Sequence, residues 1–213
     1  MTIVEITRLI AIIGCGVCVL GIVVRLRSIM NRPFKQDLAR AKGSVRRGVL
    51  YAFTLGMAPW EKESTRLHWL AYIRGILFHV GTFVALAVLL ASPWLETFPA
   101  WSKIIAAIVT GFGAIFGFMG ILMRRAEENL RVLSVPDDYA SVVLTSLFAA
   151  SASVTLVASS VLPVFYVVAA VLLIYLPFSK IRHCVYFFYS KFFYGRNFGR
   201  RGVIGQPRSP YAE

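Results

Sequence analysis

The sequence predicts an all-α integral membrane protein, a bundle of five transmembrane helices with its N-terminus outside and its C-terminus inside. Hydrophobic residues make up 58% of the 213 positions, and the mean hydropathy is +0.70, above what a soluble domain shows. These residues form uninterrupted blocks long enough to cross a bilayer. The charged residues lie mostly between the blocks and flank them.

Five apolar blocks are the predicted spans, and local signals mark their ends. Basic residues follow the first and third blocks, and a Ser-Pro-Trp sequence at 92–94 ends the second. Asp137 and Asp138 precede the fourth, where acidic side chains suit a helix N-terminus. Only residues 159–163 separate the fourth span from the fifth, which predicts a tight helical hairpin. The first four spans cover residues 6–24, 70–91, 104–123 and 140–162, and the fifth begins after Pro163 and continues through Leu176.

Nearly all the positive charge falls on one side of this predicted bundle. Lys and Arg outnumber Asp and Glu by 23 to 10, for a net charge of +13. All but Arg8 and Lys103 lie in the segments 25–74, 124–131 and 180–208, which alternating spans put on the same side. The positive-inside rule makes this side cytoplasmic. The placement favours contact with anionic lipid over binding of nucleic acid.

The chain is predicted to form one membrane domain, residues 1–194, followed by a basic cytoplasmic tail, residues 195–213. A basic inner segment, residues 26–66, could lie on the membrane surface, since it is partly amphipathic around Phe34, Leu38, Val45 and Leu50. From residue 190 onward an extended arm that docks on a partner or on lipid is predicted, because glycines interrupt any long helix at Gly195, Gly199, Gly202 and Gly205.

Small residues inside two spans predict close helix packing. Gly113, Gly117 and Gly120 give the third span a small-residue face. Cys15 and Cys18 have the spacing of a C-x-x-C motif, but they lie inside the first span, where packing is the simpler use. No phosphate-binding loop or H-E-x-x-H sequence is present, so nothing indicates hydrolytic chemistry.

The histidines are the chemical signal in the sequence. His79 lies in the second span, about one to two turns past Arg74, and His183 follows the fifth apolar run. Both are therefore predicted near the inner leaflet, on different helices, and an ionisable residue at membrane depth indicates function. Two imidazoles can ligate a haem iron from opposite faces. Arg74, Lys180 and Arg182 would then neutralise the haem propionates.

Other interpretations of the histidines stay open. His79 and His183 could each hydrogen-bond a neighbouring helix instead of binding iron. His68 precedes the second span beside Trp69, which is typical of an interfacial residue, and it could also serve a quinone or a proton relay. If the inner boundary of this span is misjudged, His68 could replace His79 as the ligand.

Two segments resemble the ligand-bearing segments of the cytochrome b membrane subunit of respiratory nitrate reductase. They are GILFHVG at residues 75–81 and LPFSKIRH at residues 176–183. The five-span plan is similar too, and the pattern occurs in membrane subunits of heterodisulfide reductase-like and dissimilatory sulfite reductase-linked complexes. The resemblance implies a multi-pass protein of the prokaryotic inner membrane, with His79 and His183 binding haem b beside a cytoplasmic iron–sulfur subunit.

The chain departs from that family at the outer haem. The nitrate reductase subunit carries a second haem, with one further histidine on each of the same two helices. The corresponding positions here fall near Leu89 and Phe165, neither of which can ligate iron. A single haem b is therefore expected, with a diffusing quinone as the second electron partner.

Two functions follow as expectations. The first is a haem b membrane subunit of a multi-subunit oxidoreductase, passing electrons between membrane quinone and a cytoplasmic iron–sulfur subunit, with the substrate chemistry elsewhere in the complex. The alternative is a haem-free membrane anchor or assembly subunit that tethers a soluble complex. A small transporter is disfavoured, because no paired internal repeat or line of buried charges is visible.

Overall fold

The computed structural model describes residues 1–32, 38–61, 65 and 67–204. Within these ranges all regular secondary structure is helical, as the sequence predicts. The α-helices described there are α1 Ile3–Met30, α2 Val45–Phe53, α3 Trp69–Ala91, α4 Ala100–Ala126, α5 Glu128–Leu133, α6 Pro136–Val157, α7 Leu162–Tyr175 and α8 His183–Arg200. Short 3-10 turns lie at Leu55–Met57, Pro59–Glu61, Ser92–Thr97, Ser159–Val161, Leu176–Phe178 and Lys180–Arg182.

The five predicted spans are confirmed as helices long and apolar enough to cross a membrane. Each predicted block lies within or nearly within one of them, although the helical ends differ by several residues. Counted with adjoining 3-10 turns, the five such helices in the described ranges are Ile3–Met30, Trp69–Thr97, Ala100–Ala126, Pro136–Val157 and Ser159–Phe178. Which terminus faces which side of the bilayer stays a prediction.

The chain divides into two compact units, and each is described by itself. The first, called the span unit here, comprises Met1–Arg27 and Leu70–Arg182. The second, called the helix-pair unit, comprises Ser28–Trp69 and His183–Glu213. His79, Arg74, Lys180 and Arg182 belong to the span unit, whereas His68 and His183 belong to the helix-pair unit.

The core of the span unit is built by α3, α4, α6 and α7. Phe148 of α6 and Phe165 of α7 are fully buried, and their rings stack with centroids 5.4 Å apart. Small residues fill the space around these rings, which lets the helices approach closely. The buried cluster consists of Ala85, Val88, Ala114, Phe148, Ala149, Ala152, Phe165, Ala169 and Leu172.

The small-residue face predicted for the third span is confirmed as a packing face. Gly113 of α4 lies against Gly81 of α3, where a Cβ added to Gly81 would come within 2.5 Å of the Gly113 Cα atom. Gly117 lies against the Phe78 ring, and Gly120 lies against the Arg74 guanidinium. Three glycines spaced along α4 therefore set how closely α3 crosses it.

The first span packs on α7 through its own glycines. A Cβ at Gly14 would lie 3.1 Å from the Ala170 backbone, and one at Gly21 would meet the Pro177 ring. Only 17% of the most apolar stretch of this span is buried, against 39% for the fourth span. The first span therefore lies at the periphery of the span unit.

The connections at the fourth span agree with the sequence. The backbone N–H of Val135 donates to Asp138 Oδ2 at 2.9 Å, so Asp138 caps the start of α6. At the far end, the 3-10 turn Ser159–Val161 joins α6 directly to α7. The predicted tight hairpin is confirmed.

The helix-pair unit corrects one prediction about the tail. Gly195 and Gly199 do not interrupt a helix: α8 continues through both to Arg200. The reason is packing, because Gly195 lies against Val49 and Gly199 against the Gly48 backbone of α2, with no room for a side chain. The cost of a glycine within a helix is about 1 kcal/mol, which close helix contact offsets.

The helix α8 ends at a glycine farther along. Gly202 has φ +72°, a left-handed conformation that glycine adopts without steric cost. The Gly202 N–H donates to Gly199 O at 3.1 Å and the Val203 N–H to Phe198 O at 3.0 Å. These two bonds form a Schellman motif. Residues 205–213 of the predicted tail, and Phe34 of the predicted amphipathic segment, lie outside the described residues.

Candidate functional site

His79 lies on α3 with an exposed side chain. Its Nδ1 is 2.6 Å from the backbone carbonyl oxygen of Gly75, one turn earlier on the helix. A carbonyl only accepts hydrogen bonds, so Nδ1 carries the proton and the lone pair of the neutral ring is on Nε2. This tautomer is the one that histidine ligands use when Nε2 binds a metal.

Arg74 is partly buried and packs against α4. Its guanidinium packs against Gly120 of α4, and its Nε is buried without a hydrogen-bond partner. The side chain was predicted as a partner for a haem propionate. Its observed place, on the inward face of α3, differs from the exposed face that carries His79.

A second orphaned polar atom lies beside this arginine's helix. Ser146 of α6 is fully buried, its Oγ has no hydrogen-bond partner, and it packs against Gly117. Phe78 of α3 packs against the same glycine. This part of the span unit thus holds two buried polar atoms without hydrogen-bond partners, Arg74 Nε and Ser146 Oγ. The sequence does not predict this, because a single serine in an apolar span gives no signal of its own.

Lys180, the second predicted propionate partner, forms an ion pair in this structure. Its Nζ is 2.7 Å from Asp138 Oδ2, with the lysine side chain 51% exposed and the aspartate side chain 12% exposed. The Lys180 N–H donates to Asp137 Oδ2 at 2.9 Å, and the Tyr175 hydroxyl donates to Asp137 as well. These contacts tie the end of the fifth span to the start of α6.

Arg182 and His183 follow directly after this tie. Arg182 Nη1 reaches the Phe178 carbonyl oxygen at 3.4 Å. His183 is the first residue of α8, and its side chain is exposed. Because His183 begins an element of the helix-pair unit and His79 belongs to the span unit, their pairing on one iron stays a prediction.

His68, the third histidine, is exposed in a turn just before α3. Its suggested quinone or proton role stays a prediction. Phe165 and Leu89, where the resembling family has outer haem ligands, belong to the packed core or contact it. Among the described residues no three His, Cys, Asp or Glu side chains cluster as a metal site would require; axial ligation of haem needs only two imidazoles.

No protein-family model, curated protein or solved structure matches this chain. The nitrate reductase resemblance therefore rests on the two quoted segments and the five-span plan.

Proposed function

We propose that this chain is the haem b membrane subunit of a multi-subunit oxidoreductase of the prokaryotic inner membrane. It would pass electrons between membrane quinone and a cytoplasmic iron–sulfur subunit. The single observation that supports this most is the hydrogen bond from His79 Nδ1 to the Gly75 carbonyl. With the proton on Nδ1, the lone pair of this histidine of an apolar span is on Nε2, the nitrogen that would bind iron.

A histidine in a membrane span costs free energy unless a partner compensates for it. Iron ligation compensates well, since the metal takes the Nε2 lone pair while the Gly75 carbonyl holds the opposite nitrogen. The same carbonyl also fixes the ring plane, which reduces the conformational freedom lost on binding. When bound, haem supplies one-electron transfer, and this chain's contribution is to hold, orient and shield it.

In the proposal His183 supplies the second nitrogen. It ends the segment LPFSKIRH that carries the family resemblance, so Arg182 would lie beside the porphyrin edge. Lys180 would have to share its charge between a propionate and Asp138, its present partner at 2.7 Å. Arg74, whose guanidinium lies next to Gly120, would be the remaining cation for the propionates.

The experiment is a reduced-minus-oxidised spectrum of the purified full chain, with haem quantified as its pyridine haemochrome. We expect a b-type band and one haem per chain in the wild type. His79→Ala and His183→Ala should each lose the band, because one imidazole cannot provide both axial ligands.

The matched control is His68→Ala, the same substitution at the remaining histidine. We expect it to keep the band and the haem content. A wild-type chain without a b-type band would overturn the proposal, as would a band that survives both His79→Ala and His183→Ala in correctly folded protein.

A haem-free membrane anchor or assembly subunit is the second candidate. The observation in its favour is that Lys180 is already paired with Asp138, so the charge of this lysine is balanced without a propionate. This function predicts that a soluble partner still co-purifies with the His79→Ala, His183→Ala double variant, and that the wild type contains no haem.

A further inference from the structure

A polar cavity of about 280 Å³ lies in the span unit where α1 begins. The start of α1, the turn Ser92–Thr97, the start of α4, the end of α6 and the start of α7 enclose it. We call it the Arg8 pocket, and its polar walls include Arg8, Ser92, Glu96, Lys103, Thr155 and Tyr166. The volume is far above the roughly 10–15 Å³ of accessible space that one water needs.

The Arg8 pocket is lined by two cations that do not belong to the basic segments of the chain. Arg8 and Lys103 are the two cations that lie outside the three basic segments of the chain. They come from different helices and line the same cavity. Glu96 is the one acidic residue among the pocket's described lining residues, so two cations face one carboxylate. A cavity with this balance attracts an anion.

Thr155 provides a hydrogen-bond donor that the protein itself does not use. Its side chain is 4% exposed and lines the Arg8 pocket, yet its Oγ1 has no hydrogen-bond partner. By contrast Thr82 donates to Phe78 O at 2.8 Å and Thr145 donates to Ser141 O at 2.8 Å, each one turn back. A buried hydroxyl left unpaired costs about 1–3 kcal/mol, a cost that an acceptor in the cavity would remove.

The other buried hydroxyls of the pocket are already committed. The Tyr166 hydroxyl donates to Ser92 Oγ at 2.9 Å, and the Ser92 hydroxyl donates to the Leu89 carbonyl at 2.6 Å. These two hydrogen bonds hold Tyr166, which is 3% exposed, against the turn after α3. The donors left for a ligand are therefore Arg8, Lys103, Thr155 and the exposed Ser159. Together they suit one group with several acceptor oxygens.

Two exposed tryptophans lie near the Arg8 pocket in the chain. Trp94 is 61% exposed and Trp101 is 66% exposed; Trp94 lies between two pocket residues in the chain, and Trp101 precedes Lys103 by two positions. Exposed tryptophans at the end of a span bundle lie at the membrane–water interface. From the charge, the unpaired donor and these interfacial tryptophans together, we infer that the Arg8 pocket binds a phosphate group, carried either by a phospholipid head group or by free phosphate.

The test measures thermal unfolding of the full chain in a neutral detergent. One arm titrates inorganic phosphate against chloride at equal ionic strength, and the other adds phosphatidylglycerol or phosphatidylcholine to the micelles. We expect the midpoint to rise in at least one arm. A rise with lipid alone identifies a head-group site, and a rise with inorganic phosphate identifies a site that free phosphate can enter.

Three variants connect the effect to the pocket. Arg8→Gln and Lys103→Gln should each weaken the apparent affinity about tenfold, the loss expected for one charge-assisted hydrogen bond. Thr155→Val should also weaken it while leaving the midpoint without ligand unchanged or higher, since it removes the orphaned hydroxyl. A purely structural threonine would instead lower that midpoint.

Arg25→Gln is the matched control, because Arg25 is an exposed arginine of the same helix as Arg8, near its other end. It should respond to phosphate and lipid as the wild type does. The inference is overturned if neither arm raises the wild-type midpoint, or if Arg25→Gln loses the response as fully as Arg8→Gln.

Discussion

Ser146 is a single residue whose hydroxyl group is left unsatisfied inside the span unit. Its side chain is fully buried, and its Oγ makes no hydrogen bond. On the same helix the Ser151 hydroxyl donates to the Phe148 carbonyl at 3.0 Å, the usual solution in a membrane helix. Ser146 instead packs against Gly117, so its hydroxyl adds a cost that alanine would not have.

We therefore predict that Ser146→Ala stabilises the protein by up to about 1 kcal/mol, because it removes a buried donor without a partner. Unfolding of the full chain in mixed detergent and dodecyl sulfate measures the change. Ser151→Ala is the matched control and should give no gain. A loss of stability in Ser146→Ala larger than in Ser151→Ala would contradict the prediction and indicate a role for the hydroxyl.

The contacts that Asp137 and Asp138 make with distant residues could not be predicted from the sequence. Both acids were correctly expected at a helix start, and Asp138 does cap α6. Their bonds to Tyr175 and Lys180 join residues about forty positions apart. Hydropathy and helical spacing describe neighbours along the chain, so a pairing that depends on how two spans meet cannot be derived from them.

At the scale of elements, α3 and α4 are held at a distance that only glycine permits. A Cβ at Gly81 would come within 2.5 Å of the Gly113 Cα atom, whereas a Cβ at Gly75, on the same helix, would meet nothing within 4 Å. Gly81→Ala should therefore destabilise the protein by about 1–3 kcal/mol through overpacking. Gly75→Ala should be neutral or stabilise it by up to about 1 kcal/mol.

The same detergent unfolding experiment compares these two variants. Equal effects of Gly81→Ala and Gly75→Ala would contradict the close crossing of α3 and α4. Gly75→Ala serves a second purpose, because it keeps the backbone carbonyl that accepts from His79 Nδ1. Its haem content should therefore equal that of the wild type.

The five spans could be predicted from the sequence, whereas the helix α8 could not. Long apolar blocks flanked by cations leave few alternatives to spans, so all five were predictable. The helix α8 was not, because Gly195 and Gly199 weaken a helix locally. Their contacts with α2 stabilise it only after the chain has folded, and nothing in the local sequence around residue 195 indicates that α2 is the partner.

At the scale of the whole molecule, the uneven charge distribution predicts the orientation in the bilayer. With Cys15, Cys18 and Cys184 replaced by serine, single cysteines at Thr97→Cys and Arg131→Cys report opposite ends of the span unit. An impermeant thiol reagent added to intact cells should label the cysteine at 97 and spare the one at 131. The reverse pattern would contradict the positive-inside assignment.

Low-temperature electron paramagnetic resonance of the oxidised full chain would show directly whether His79 and His183 ligate one haem iron. Two imidazole ligands hold ferric haem in the low-spin state, so we expect a low-spin ferric signal that disappears in His79→Ala. A high-spin signal in the wild type, or no haem signal at all, would contradict ligation of one iron by His79 and His183.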